Sequence, residues 1–503
     1  MTHEVVVVGA GIGGLTTAAL LAARGVDVCV LEKESVGGGC ATTFERFGYE
    51  FETTAGLYAG WGADDIHARV FSELPVAPPE ARRLAPAYVV RLPDAAEVRV
   101  GAGEDGAEEF ETELSRAFPE CADAAIRFYR ELTPVSEALH RSARRAPELA
   151  TLGKFARMKL LAAEPRHASR LLALQTHTAA EHLAAASTRF RRFIDAQLQM
   201  YANCASDECA YLYAAIALDL PHRGLYALRG GASALARALT EAIKLSGGRV
   251  RFDTTALRLA FDAGGRAVGV DLLSGESVRA TRAVVSNLTV WDTYGKLVGA
   301  SRTPAHLRER LKAARGWGAY LLYLSADEET VSRLPAERLL ALDSWQEGET
   351  YDATRAQFMF SASPAWDAAR APAAKRAVTV SLYTEAADWF AYHTDESAHE
   401  TQDQQMLEAC WERLHAALPE LGAGAEVIET ATPRTFYEQT RRKLGMVGGI
   451  PQTLANNGVG NMFTHRTPFP NLYMVGDTLF PGNGLAAVTQ SALIAANEIA
   501  PGK

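Results

Sequence analysis

The chain opens on an apolar run at residues 5–8 and breaks into Gly9-Ala10-Gly11-Ile12-Gly13-Gly14. It continues helix-like over 15–24, then returns to an apolar run over 26–31 that ends at Glu32. Short continuous apolar runs bounded by turn residues read as strands buried on both faces, as in a parallel sheet. The order of strand, glycine turn, helix and strand predicts the first βαβ unit of a doubly wound sheet. The pattern resumes after Gly230-Gly231 with a helix over 234–245, a short strand at 250–252, and strands at 257–261 and 267–273. Residues 283–287 read as a buried strand returning to the parallel sheet. Near the far end, a strand at 471–475 runs into Gly476-Asp477, and Gly482-Asn483-Gly484 opens a helix over 485–499.

Two blocks of different character separate these pieces. The first, 76–214, begins with a hairpin of 87–92 against 98–100 and then turns strongly helical. The second, 301–439, carries alternating stretches at 320–324, 357–361 and 378–384, which predict sheet strands flooring a substrate cavity. Its residues 403–418 read as an amphipathic helix ended by Pro419. The expectation is an α/β protein of two interleaved domains. A Rossmann-like nucleotide-binding domain takes 1–75, 215–300 and 440–503, and a mixed-sheet plus helical substrate domain takes 76–214 and 301–439.

Charge narrows the partners. A net charge of −9 over 503 residues argues against nucleic acid. Residues 141–192 are the exception, with eleven Lys/Arg against three Glu, a local +8 that leaves −17 on the rest. Interleaved with Phe155, Met158, Leu160, Leu161, Leu171 and Leu172, this segment is a candidate for peripheral contact with an anionic membrane; the competing reading is a solvated basic helix face. Met1-Thr2-His3-Glu4 offers no basic leader, and no uncharged stretch is long enough to span a bilayer, so the expected location is cytoplasmic, with membrane association through that segment. The six cysteines show neither a CxxC nor a metal-like spacing, so reduced thiols and no metal site are expected, Cys204 and Cys209 included.

The glycine turn carries the chemistry. Gly9 permits the tight turn, Gly11 lets backbone approach a pyrophosphate, and Gly14 lets the helix pack close, so the free N–H groups at the helix start face phosphate. Glu32, eighteen residues beyond Gly14, can accept from ribose hydroxyls and would repel a 2′-phosphate, which selects an unphosphorylated dinucleotide. Gly37-Gly38-Gly39 directly after this acid point to FAD rather than NAD. At the far end, Asp477 can bond ribityl or ribose hydroxyls, and the helix start at 484–486 can aim its positive end at the flavin N1 and C2 carbonyl. The candidate cofactor-binding residues are Gly9, Gly11, Ile12, Gly13, Gly14, Glu32, Lys33, Gly38, Gly39, Cys40, Ala256, Ser286, Asn287, Gly476, Asp477, Gly484, Leu485 and Ala486. No catalytic residue is assigned. Glu52, Tyr58, His222, Arg223, Arg434 and Tyr437 are the acid–base candidates, with His222 expected as a solvated loop histidine beside Pro221.

Over nearly its whole length the chain resembles the FAD-dependent phytoene desaturase, carotenoid isomerase and retinol saturase family, and the isomerases most. The likeness rests on residues 9–14 with Glu32, Gly38-Gly39, Leu228-Arg229-Gly230-Gly231, Val285-Ser286-Asn287, the WDTYGKL stretch at 291–297, Thr432-Pro433-Arg434-Thr435 and the GDTLFPGNG stretch at 476–484. It implies an FAD-binding domain of the glutathione-reductase/amine-oxidase type. It also implies hydride exchange between flavin N5 and a hydrophobic, carotenoid-like polyene, in desaturation, saturation or cis–trans isomerisation. Two departures stand out. Cys40 replaces the arginine of the usual Gly-Gly-Arg, and Glu52-Thr53-Thr54-Ala55-Gly56 replaces an Asp-x-Gly-Pro stretch. The alternatives are an amine oxidase or tailoring oxidase acting on a soluble metabolite, and a prenyl-binding escort protein of the same fold without flavin.

Overall fold

The computed structural model describes residues 1–101, 106–145, 165–348, 350–391, 395–457 and 461–502. Its first large sheet has the strand order Ala256–Phe261, Ala267–Leu272, Ser277–Ser286, Thr2–Val8, Val28–Leu31, Arg249–Arg251, with Leu472–Met474 also paired to Ser277–Ser286. Val5, Val6, Val7 and Val8 sit at its centre, almost wholly buried, flanked in parallel by Val28 to Leu31 on one side and Ala283 to Ser286 on the other. A four-residue apolar run suits this place because both of its faces are covered. Val5 and Val7 join the helical core of Leu15, Leu239 and Leu493, while Val6 and Val8 pack with Val290, Trp291 and Met474.

Strand Ser277–Ser286 takes Val8 of the first strand as register partner of Ser286 and takes Met474 of the strand Leu472–Met474 there as well. Helix Ile12–Ala23 packs against helix Leu485–Ile499 through Leu20, Leu21, Leu493 and Ala496. Sequence positions nearly 500 apart therefore meet at one edge of the first glycine turn.

The second sheet has the order Ala425–Ala431, Gly318–Asp327, Lys375–Thr384, Gln357–Ala362, Arg338–Leu342, Tyr88–Arg91, Glu97–Val100. The hairpin at 88–100 completes it by pairing Val89 in parallel with Leu339. Alternation along Gly318–Asp327 separates two environments: Tyr320, Leu322 and Leu324 pack with Trp389 and Leu414, whereas Leu321 and Tyr323 pack with Tyr49 and Phe51. The long helix Glu396–Ala417 starts earlier than its apolar spacing suggests, because Asp395 caps it by accepting from the Ala398 N–H at 3.0 Å.

Helix Tyr211–Arg223 departs from expectation. It begins before residue 215 and buries Ala214, Ala215, Ala217 and Leu218 against Leu132 and Phe193. His222 lies in its last turn, its ring 4.5 Å from that of Phe110 and 5.9 Å from that of Tyr129, so it is a packed helix residue and not a solvated loop histidine. In the basic segment 141–192, Phe155, Met158, Leu160 and Leu161 lie outside the described residues. Of its described arginines, Arg141 pairs with Glu137, Arg144 with Asp65, Arg189 with Asp94 and Glu120, and buried Arg192 with Asp195. Among the described residues, no helix is long and apolar enough to cross a membrane.

Candidate active site

A cavity of about 1030 Å³ lies between the two sheets, at the upper limit of the roughly 300–1,000 Å³ usual for ligand pockets. One end is built from the glycine turns. Gly9 leaves the first strand at φ +96°, a conformation other residues rarely adopt, and Gly11 caps the helix Ile12–Ala23. Asn287 holds this turn to the far end of the chain. Its N–H donates to the Val8 carbonyl at 2.8 Å, its side-chain amide donates to the Val475 carbonyl at 3.1 Å, and a Cβ at Gly11 would stand 2.5 Å from its Oδ1. The second glycine turn lies alongside: the Gly38 N–H donates to the Ala10 carbonyl at 2.8 Å, and a Cβ at Gly39 would stand 3.3 Å from Gly11 Cα. Side chains at 11 or 39 would fill the cradle. Their absence leaves backbone N–H groups and the helix start open to an anion.

Glu32 stands at the end of Val28–Leu31 and accepts from the Ala10 N–H at 2.7 Å and the Glu34 N–H at 2.9 Å, which fixes its carboxylate on the cavity wall. Burial raises its pKa, opposed by the Ala10 hydrogen bond. Lys33 pairs with Glu34, and burial lowers its pKa. Cys40, Ala256, Gly476, Gly484 and Leu485 line the same cavity, as do Ile12 and Gly13. Asp477 also faces it, with its Oδ2 2.7 Å from the Arg442 guanidinium.

Three of the expected cofactor residues stand elsewhere. Ser286 is wholly buried, shares a 2.7 Å hydrogen bond with Thr293 and does not line the cavity. A Cβ at Gly14 would run into the Gly9 carbonyl, so this glycine seats helix against turn and does not touch the ligand space. Ala486 points toward Gly60. Of the acid–base candidates, Tyr58 and Tyr437 line the cavity. Glu52 lies behind it, paired with buried Arg370 at 3.1 Å and accepting from the Tyr58 hydroxyl; burial and that carboxylate raise the Tyr58 pKa well above normal. Arg223 pairs with Asp219, Arg434 pairs with Glu396 and Glu438, and neither they nor His222 reach the wall.

The other end of the cavity belongs to the second sheet and the helix before it. Leu321, Leu340, Met359 and Tyr383 face inward from the strands, Met200 from helix Thr188–Ala202, and Phe436 from helix Pro433–Thr440. Met200, Tyr383 and Arg442 carry no local signal in the sequence; each becomes a wall residue only through the packing of distant elements. Among the described residues, no cluster of His, Cys, Asp or Glu could hold a metal ion. Two glycine turns, a fixed acid and a helix start at one end of a chamber whose other end is largely apolar fit a flavin nucleotide.

Comparison with known proteins agrees with this geometry. The chloroplastic prolycopene isomerase of Arabidopsis thaliana is 24% identical over 512 residues, covering 99% of this chain and 82% of its own. The all-trans-retinol 13,14-reductase of Homo sapiens is 25% identical over 540 residues, covering 99% and 85%. Both fall in the group that the sequence resembles. Wild-type putrescine oxidase bound to putrescine shares the fold, with a TM-score of 0.63 at 14% identity over 99% of each chain. Residues 12–500 match the family of flavin containing amine oxidoreductases, and the chain belongs to that family as a flavin-dependent oxidoreductase.

Proposed function

We propose that the protein is an FAD-dependent oxidoreductase acting on carbon–carbon bonds of a hydrophobic, carotenoid-like polyene, in desaturation, saturation or cis–trans isomerisation. The observation that carries this reading is the distribution of charge around the cavity. Its wall carboxylates, Glu32, Glu34, Asp292 and Asp477, all stand outside the second sheet, and each is already engaged by backbone N–H groups, Lys33, Lys296 or Arg442. The second sheet contributes Leu321, Leu340 and Met359 to the wall, with Gln357, Ser381 and Tyr383 as its uncharged polar groups, and no carboxylate. A cationic amine entering there would lose its water without gaining a counter-charge, whereas a hydrocarbon gains roughly 25 cal/mol for each Å² buried. This favours a polyene over an amine, even though an amine oxidase shares the fold.

Bound flavin supplies hydride exchange with a substrate carbon held against it. The chain's own part is to hold and enclose. The helix start at Gly11 and the backbone at 37–39 would take the diphosphate, Glu32 a ribose, and Asp477 the sugar or ribityl hydroxyls, while Leu321, Met359 and Tyr383 exclude water from the substrate end. An extended conjugated system spreads the charge left by hydride removal, so such a site needs no strong base on its wall.

The test is to heat-release the cofactor and chromatograph it against FAD and FMN. The holoprotein is then incubated anaerobically, with flavin oxidised and with flavin pre-reduced by dithionite, against a micellar carotenoid and against putrescine. Carotenoid conversion in either flavin state supports the reading. Flavin bleaching by putrescine alone, with the carotenoid recovered unchanged from both incubations, overturns it.

A further inference from the structure

We propose that Arg442 is the cation that grips the diphosphate of the bound dinucleotide, an assignment that rests on the FAD reading above. Arg442 lines the cavity together with Gly38, Gly39, Cys40, Gly476 and Asp477, at the seam where the second glycine turn meets the C-terminal one. Its guanidinium is built into place: Nη2 donates to Asp477 Oδ2 at 2.7 Å and Nε donates to the Met446 carbonyl at 2.7 Å. Two bonds leave further N–H donors of the planar fork for a ligand in the cavity. The Asp477 carboxylate keeps the group charged by raising its pKa against the opposing effect of burial.

The electrostatics call for such a group. Four carboxylates stand around the nucleotide end, and a diphosphate adds about two more negative charges beside backbone dipoles worth only about half a charge at a helix start. Of the other cations on the wall, Lys33 is committed to Glu34 and Lys296 to Asp292 at 2.8 Å and the Arg441 carbonyl at 2.7 Å, while the Arg441 guanidinium lies over the Tyr437 ring, 5.3 Å from its centroid. Residue 40 supplies the second half of the argument. The Cys40 thiol lies against the Arg442 guanidinium, which opposes the upward push of burial on its pKa. A side chain as small as cysteine leaves beside the turn a volume that a longer one would fill, and the Arg442 side chain enters it from a segment 400 residues away. Asp477 then acts as a positioning residue for the guanidinium.

The experiment measures FAD and riboflavin affinity by fluorescence for the wild type, Arg442→Met, Arg442→Lys and the double variant Cys40→Arg/Arg442→Met. Loss of a charge-assisted contact predicts FAD binding weakened about 10- to 100-fold in Arg442→Met, with a shallower salt dependence. Riboflavin, which has no phosphate, should bind unchanged. Returning a guanidinium from position 40 should recover about tenfold or more. Should Arg442→Met fail to fold, Arg442→Lys decides, with a smaller loss for FAD alone. Undiminished FAD affinity, or a proportional loss for riboflavin, overturns the assignment. Wild-type protein that binds riboflavin and FAD equally well overturns it too, yet leaves the flavin reading standing, whereas wild type that binds neither removes both.

Discussion

A single added carbon separates two kinds of glycine in this chain. At Gly14 it would meet the Gly9 carbonyl oxygen, backbone against backbone, with Asn287 Cβ 3.0 Å away; at Gly25, φ +82°, it would meet nothing within 4 Å. Gly14→Ala should therefore cost about 1–3 kcal/mol and lower flavin content, because helix and turn must part. Gly25→Ala should cost only about 1 kcal/mol of backbone strain and leave flavin content intact. Urea unfolding and the ratio of flavin to protein absorbance check both, and equal flavin loss in the two variants would refute the close-approach argument. At this scale the sequence discloses residues whose demands are local: the glycines and the acid at a strand end. It misleads at Ser286, whose hydroxyl is taken up by Thr293 in the core, and it is silent at Arg442, whose meaning depends on Asp477 and Cys40 folding beside it.

Among elements, the buried centres of strands are legible because continuous apolar runs and two-residue alternation are imposed by burial itself, whereas the exposed start of Ser277–Ser286, six residues before the apolar run at 283, is not. Ala267–Leu272 and the C-terminal helix Leu485–Ile499 follow their patterns closely, and Thr2–Val8 begins three residues before its apolar run. Helix Tyr211–Arg223 was obscured by Pro221, which sits in its last turn, where the missing N–H forfeits one bond just before the chain leaves at Gly224. The packing of that helix has a consequence in acid. Burial holds the His222 pKa down at about 4 against an ordinary 6.5, and burial followed by Arg223 does the same to His140 on helix Ala122–Arg145. Between pH 6.5 and 4 the unfolded chain takes up protons that the folded chain refuses, so stability falls as pH falls through that window and levels off below it. His222 alone accounts for on the order of 2–3 kcal/mol. His222→Leu, packed against Phe110 and Tyr129, should lose less stability than wild type between pH 7 and pH 5 in urea titrations. A parallel loss would show that this ring is not held neutral.

Across the whole molecule, the chamber is walled by residues of both sheets, so its ligand touches both. Binding confined to the folded form stabilises by about 4 kcal/mol at a thousandfold excess over Kd. Flavin removal should thus lower the melting temperature, and added FAD should restore it in a concentration-dependent way, followed by scanning calorimetry. A melting temperature indifferent to FAD would contradict a cofactor seated between the sheets. The two-sheet plan was readable because each sheet is assembled from runs of distinct pattern, but the hairpin at 88–100 joins its sheet through parallel pairing with Arg338–Leu342, a long-range choice that no local pattern announces.

The pairing of Leu472–Met474 with Ser277–Ser286 also sets a timetable. During synthesis the ribosome delivers the first glycine turn hundreds of residues before the strand that closes around it, so the nascent polypeptide must carry that groove half-made until the strand follows. Prosthetic-group insertion is consequently a late event, and truncated translation products should emerge colourless.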